Sequence, residues 1–297
     1  MTGRAQMRML PDGRRLHLQD GPIDLIVEAF GATGAIEAAY CAARTRFVRV
    51  LDELCGELSF LRQPCSADAG WPRGSVARRM TAAVMPYASD FFITPMAAVA
   101  GAVAEDILAT MLDAAELSRA YVNDGGDIAF HLTADEKFVV GMVERPDRPS
   151  LFGTLTITSE NPVRGIATSG WRGRSFSLGI ADAVTVLADR AAAADAAATI
   201  IANAVDLPGH PSIIRVPAFE LAPDSDLGSR FVTQAVGNLT ESEVDHALAS
   251  GLRIAERLRR MGLIRAAALN LCGRTRLVGV SEVSLSPAVH ERSLVHA

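Results

Sequence analysis

Five short runs rich in β-branched and aromatic residues follow one another along the middle of the chain: RAYVN (119–123), DIAFHL (127–132), KFVVGMVE (137–144), GTLTIT (153–158) and DAVTVLA (182–188). Turn residues separate them, and helical patterns do not strictly alternate with them. A doubly wound parallel sheet needs a helical crossover between successive strands, so this order predicts an α+β fold. Upstream, the stretch around Asp12-Gly13 reads as paired strands, and helices are expected over about 33–61, 75–86 and 96–113. Downstream come a helix at about 190–204, a loop at PGHPS and a strand in SIIRVPAFEL. A long amphipathic helix follows, opened by the capping-box pair Thr240 and Glu243, and AAALNLCGRTRLVGV reads as a final strand or hairpin. No internal repeat or long linker interrupts the chain, so we expect one unit over 1–297, either one large domain or two lobes sharing an interface.

Composition narrows the partners. A formal net charge of −5 argues against non-specific binding to nucleic acid or an anionic membrane. Lys137 is the lone lysine, so positive charge is carried by arginine, which suits bidentate contacts to phosphate or carboxylate. Cys41, Cys55, Cys65 and Cys272 show no zinc-type spacing and are expected to be reduced thiols. The arginine-bearing start lacks an apolar signal segment, and MAAVAGAVAEDILATML, the run nearest to a membrane span, is interrupted by Glu105 and Asp106. A cytoplasmic location is the expectation. The apolar balance, with mean hydropathy +0.21, leads us to expect a homodimer.

Four stretches place glycines, hydroxyls or acids where a plain core does not need them. In RAAAADAAATIIANAV, residues 190–205, Asp195 and Thr199 lie at i and i+4 on one helix face among small neighbours; the alternative is an acid pointing to water. In NDGGDI, residues 123–128, paired glycines let backbone amides approach a phosphate or a flat ring, or simply form a hairpin turn. GIATSG, residues 165–170, offers two hydroxyls and amides to an anion, or is turn material. TPMAAVAGAVAED opens a helix whose small residues allow close approach. Just beyond GIATSG, Trp171, Arg172 and Arg174 offer a ring for stacking and guanidinium groups for phosphate, or form an exposed loop.

Together, in this order, the stretches resemble the FAD:protein FMN transferase (ApbE-like) superfamily. NDGGDI matches its N-x-G-G-D-I, VVGMVERP its V-G-I-x-x-P, IATSG its A-T-S-G, and DAVTVLADRAAAADAAAT its V-T-V followed by A-D-A-x-A-T. AAVAGAVAED matches its G-A-I-A-K-G-Y-A-x-D. The motifs fall within residues 96–199, leaving 204–297 as a C-terminal helix and strand part. The resemblance implies an ApbE-like fold of antiparallel or mixed sheets packed with helices in a two-lobed unit. It implies Mg²⁺ held by Asp195, Thr199 and a backbone carbonyl near Ala97 or Ala98, against the pyrophosphate of FAD (or FMN). Asn123, Gly125, Gly126, Asp127, Thr168, Ser169 and Gly170, with Trp171 and Arg172, would line the flavin pocket.

One motif is missing. The family carries H-x-x-D-P-x-T-G between A-T-S-G and V-T-V, whereas this chain has the shorter FSLGIADAVTV with no histidine. Ser177 and Asp182 occupy that stretch and are the candidate catalytic residues. The expected function is therefore a flavin-nucleotide site of the Mg-dependent pyrophosphate or FMN-transfer type, with a protein acceptor unidentified. The alternatives are a non-catalytic flavin-binding protein and an enzyme acting on an unrelated small molecule with the same fold.

Overall fold

The computed structural model describes residues 4–143, 151–279 and 284–287. The end of the VVGMVERP stretch lies outside the described residues. Strands β1 (Gln6–Met9), β2 (Leu16–Asp20) and β3 (Ile23–Phe30) form a meander and lead into helix α1 (Thr33–Gly56) and the single-turn α2 (Leu58–Leu61). Helix α3 (Ser75–Val84) follows, then a 3₁₀ turn at Pro95–Ala98 that runs directly into α4 (Val99–Ala114). Next come the hairpin β4 (Arg119–Asp124) and β5 (Asp127–Leu132), the pair β6 (Lys137–Val143) and β7 (Leu151–Thr158), then β8 (Gly165–Ser169) and β9 (Ala183–Ala188). Helix α5 (Ala191–Ala204), strand β10 (Ile213–Pro217), the short α6 (Ala218–Leu221) and β11 (Phe231–Val236) precede α7 (Glu241–Arg260), β12 (Ala266–Leu271), β13 (Arg274–Val278) and β14 (Ser284–Pro287).

Among the described residues, nine strands make one sheet in the order β1-β2-β3-β4-β5-β8-β9-β12-β13, and their pairings within it are antiparallel. The α+β class is thus found, with antiparallel pairing throughout the described strands. Period-2 alternation decides which face each residue takes. Leu16, Leu18, Leu25, Val27, Ala120 and Val122 point to one face and are buried there in the main core. Over that face α1, α4, α5 and α7 lie side by side: α1 on β2 and β3, α4 on β4 and β5, α5 on β8 and β9, α7 on β12 and β13. The opposite face carries a second core of Phe130, Leu155, Ile157, Ile166 and Leu187, covered by the three-stranded sheet β14-β7-β6. Phe138 of β6 meets the Tyr121 and Phe130 rings edge-on at centroid distances of 5.9 Å each.

The alanines of α5 have a steric reason. This helix sits in the middle of its layer, with α4 on one side, α7 on the other and β8 and β9 beneath. A Cβ on Gly101 of α4 would lie 2.4 Å from the Ala191 carbonyl oxygen, and one on Gly165 of β8 only 2.2 Å from the Ala191 nitrogen. Backbones meet there, and bulk is excluded.

Two expectations need adjustment. SIIRVPAFEL is a strand only through Pro217, where the chain turns into α6; its partner strand β11, FVTQAV, was not anticipated. The apolar stretch Pro95–Ala114, 20 residues long, is by length and composition able to cross a membrane, but here it packs in the main core through Ala102, Val103, Ile107 and Met111. The capping box of α7 forms as expected, with the Thr240 side chain accepting from the Glu243 N–H and the Glu243 side chain accepting from the Thr240 N–H. The four cysteines are free.

Candidate functional site

The first turns of α4 and α5 meet at the Gly101 contact. The first amides of a helix have no partner within it, and the positions preceding these helices, Ala98 and Arg190, supply no side-chain cap. Each helix is capped by the other instead. Asp195 Oδ2 accepts from the Gly101 N–H at 3.1 Å, and Glu105 Oε1 accepts from the Ala192 N–H at 2.8 Å. Glu105 is held in turn by Arg190 at 2.9 Å and Arg79 at 3.3 Å. Asp195 therefore does not point away into water. Thr199 follows one turn later, half-buried, and among the described residues nothing hydrogen-bonds its hydroxyl. The Pro95–Ala98 turn packs against α5, which brings the fully buried Ala98 to the same helix.

The hairpin β4–β5 closes beside this junction. Gly125 and Gly126 form its two-residue connection with φ of +63° and +115°, backbone angles that glycine adopts at little cost. The Asn123 side-chain oxygen accepts from the Gly126 N–H at 2.8 Å and fixes the turn. Asp127 accepts from the Thr168 N–H at 3.0 Å. Only two residue pairs join β5 to β8, so the Asp127 side chain extends that seam. Thr168 faces Thr185 of β9, with their hydroxyls 2.9 Å apart.

Three carboxylates gather here. Burial pushes Asp124 up to about 8, with repulsion from Asp127 adding to it. Burial likewise raises Asp127 to about 7, against the opposing hydrogen bond from Thr168. Asp195 lies well above the usual carboxylate range because of burial, then the charge of Asp127. The positive charge acting on Asp124 comes from Arg174, whose guanidinium lies 3.5 Å from where a Gly125 Cβ would be. Such a site is short of positive charge. Among the described residues no group of three His, Cys, Asp or Glu side chains converges as a metal centre. A cation would instead be held by Asp195, the Thr199 hydroxyl and a main-chain carbonyl of the Pro95–Ala98 turn. Those are oxygen donors that leave positions open, which suits a hard ion such as Mg²⁺.

The loop between β8 and β9 is differently employed. Asp182, 4% exposed, accepts from Trp171 Nε1 at 3.2 Å, Arg172 Nε at 2.6 Å and the Cys272 N–H at 2.6 Å. Arg172 also stacks on the Trp171 ring at 4.2 Å. The carboxylate thus pins the loop to the turn between β12 and β13, which is anchoring and not the setting of a free base. Ser177, 2% exposed, donates to Asn203 Oδ1 at 3.2 Å and accepts from the Gly179 N–H at 3.2 Å. Asn203 lies eight residues beyond Asp195 on α5, roughly 12 Å along its axis, so Ser177 serves the other end of that helix. Gly170 is a packing glycine, since a Cβ there would be 2.6 Å from the Asp182 carbonyl oxygen. Ser169 is half-buried at the end of β8.

The structure therefore brings Asn123, Gly125, Gly126, Asp127, Thr168 and Asp195 to one end of the sheet and sets Ser177 apart. Sequence reasoning did not single out Asp124, Glu105 or Thr185. Asp124 lay within the quoted NDGGDI and precedes the turn as Asp127 follows it, which was the available signal. A groove of about 830 Å³ runs between α1, α3 and α4 past Thr45, Arg46, Arg49 and Glu53, and none of the three clustered carboxylates lines it.

A family model described as AbpE bacteria matches residues 7–277. The chain belongs to that family. The ApbE-like superfamily expected from the motifs is therefore found. Among curated relatives of this AbpE chain, a UPF0280 protein of Methanopyrus kandleri is 41% identical over 128 residues, covering 43% of this chain and 48% of that protein. A UPF0280 protein of Methanococcoides burtonii is 37% identical over 150 residues, covering 50% of this chain and 58% of that protein. The chain spans about half the length of the curated relatives it matches. Among solved structures, the flavin transferase ApbE from Vibrio cholerae aligns with a TM-score of 0.43 at 11% identity, covering 92% of this chain and 96% of that one. The apo flavinyl transferase ApbE of Pseudomonas stutzeri aligns at 0.35 and 11%, covering 85% and 74%.

Proposed function

We propose that this protein binds a flavin nucleotide, FAD or FMN, together with Mg²⁺ at the junction of α4, α5 and the β4–β5 turn. The observation that carries this is the Asp195–Thr199 face, set between two helix N-termini beside the buried Asp124 and the half-buried Asp127. A divalent ion there offsets negative charge that the fold otherwise leaves uncompensated. When bound, it supplies polarisation of phosphoryl oxygens. The chain's own groups do the rest. Asp195 and Thr199 hold one side of the ion, the Gly125–Gly126 turn leaves room for a phosphate or ring edge, and the Asp127 bond to Thr168 keeps β8 in register beside it.

Binding is favoured over group transfer by the state of the two candidate catalytic residues. The Asp182 carboxylate has three donors and the Ser177 hydroxyl is engaged with Asn203, so neither offers a free base beside Asp195. The test is flavin fluorescence of the purified protein titrated with FAD, first in Mg²⁺ and then in EDTA. Metal-dependent binding that Asp195→Ala removes is the expected result. Equal behaviour of Asp195→Ala and wild type would overturn the metal site, and steady release of FMN and AMP would overturn the non-catalytic form of the reading.

A further inference from the structure

The loop after β8 carries two arginines, and the fold treats them differently. Arg172 is committed, with its Nε on Asp182 and its guanidinium stacked on Trp171. Arg174, two residues on, is exposed and makes no ion pair among the described residues, yet its side chain crosses back over the β4–β5 turn to within 3.5 Å of the Gly125 Cβ position. Gly125 has no side chain to intervene, so the guanidinium lies over bare backbone, beside Asp124, at the end of the sheet where the clustered carboxylates gather.

We infer that Arg174 is the specificity-determining residue for phosphate, the group that contacts the diphosphate of a bound nucleotide. The inference rests on the flavin-nucleotide reading above. A phosphate brought towards Asp124, Asp127 and Asp195 is repelled by each of them that ionises unless cations stand between, and Asp195 and Thr199 would hold a divalent ion on the α5 side, away from the turn that Arg174 covers. Arg174 stands on the side of the turn next to Asp124, whose charge it feels; it has five donors in a planar fork, and it has no hydrogen bond or ion pair among the described residues to give up on binding. Arg172 would have to leave both Asp182 and Trp171 to do the same.

The experiment compares FAD, riboflavin and ADP on wild type, Arg174→Ala and Arg174→Lys, each with Mg²⁺. Losing a charge-assisted phosphate contact should weaken FAD and ADP roughly ten- to hundred-fold in Arg174→Ala while leaving riboflavin, which has no phosphate, within about two-fold. Arg174→Lys should recover part of the loss, as a point charge replaces the fork. Unchanged FAD affinity in Arg174→Ala, or equal losses for FAD and riboflavin, overturns the inference and leaves the flavin reading standing. If wild type takes ADP but neither flavin, the flavin reading falls, and the effect of Arg174→Ala on ADP decides the inference alone. No binding of any of the three overturns both.

Discussion

Asp195 and Gly101 stand 94 positions apart in sequence, and the carboxylate of one accepts the N–H of the other at 3.1 Å in the first turn of α4. One turn further along α4, Glu105 completes the exchange on the Ala192 N–H of α5 at 2.8 Å. Each helix thus places an accepting carboxyl oxygen at the positive end of its neighbour.

Removing Glu105 should loosen that junction. In Glu105→Ala the Ala192 N–H loses its acceptor and Arg79 and Arg190 lose a shared partner. Arg190 is half-exposed and recovers solvation, so the expected cost is about 2 kcal/mol, below that of breaking a fully buried pair. Urea unfolding reads it directly. A loss under about 0.5 kcal/mol would mean that the cap contributes little.

Two glycines should rank opposite to their backbone angles. Gly125 has a left-handed φ of +63° with only the Arg174 guanidinium nearby, whereas Gly101 lies within α4 with Ala191 backbone atoms 2.4 to 2.7 Å from a built Cβ. Gly125→Ala should cost about 1 kcal/mol of strain. Gly101→Ala should cost about 3 kcal/mol, since the α4–α5 backbones must separate. Thermal melts of both variants test the order; the reverse ranking would show that the helix contact can relax.

The raised carboxylates give a pH dependence of definite sign. Asp124 is pushed up to about 8 and Asp127 to about 7, from an ordinary value of 3.8. Between those limits the native state keeps protons that the unfolded chain releases. In EDTA, stability should therefore fall as pH rises from about 4 to 8. Asp124→Asn should flatten the slope. With Mg²⁺ present the fall should be smaller at the alkaline end, if the proposed cation replaces the protons; chemical denaturation at pH 5, 6.5 and 8 measures all three.

Asp182 should behave as an anchor. Asp182→Ala leaves Trp171, Arg172 and the Cys272 N–H without their acceptor, and about 3 kcal/mol of stability should be lost. Trp171 emission, read in a Trp71→Phe background, should shift to the red as the loop opens. Retained emission and stability would return Asp182 to candidacy as a working acid or base.

The local elements were legible because their causes are local. Alternation in β2 to β5, the Gly-Gly turn and the Thr240–Glu243 cap depend on neighbours within a few residues, and each formed where its pattern lay. The break of SIIRVPAFEL after Pro217 was not legible, since it depends on pairing across an intervening loop, whereas FVTQAV at Phe231–Val236 carried a strand pattern that was passed over. The motif order likewise announced the family without stating what each residue does in this chain.

Sequence alone determined the α+β layering, the helical face shared by Asp195 and Thr199, and the superfamily. Tertiary structure decided that Asp195 caps α4, that Asp182 and Ser177 are tied into the framework, that Asp124 joins the buried charges, and that Arg174 and not Arg172 lies over the glycine turn. A carboxylate or guanidinium takes its role from the donors, charges and solvent around it. Here those come from segments tens of residues away, which no local pattern can encode.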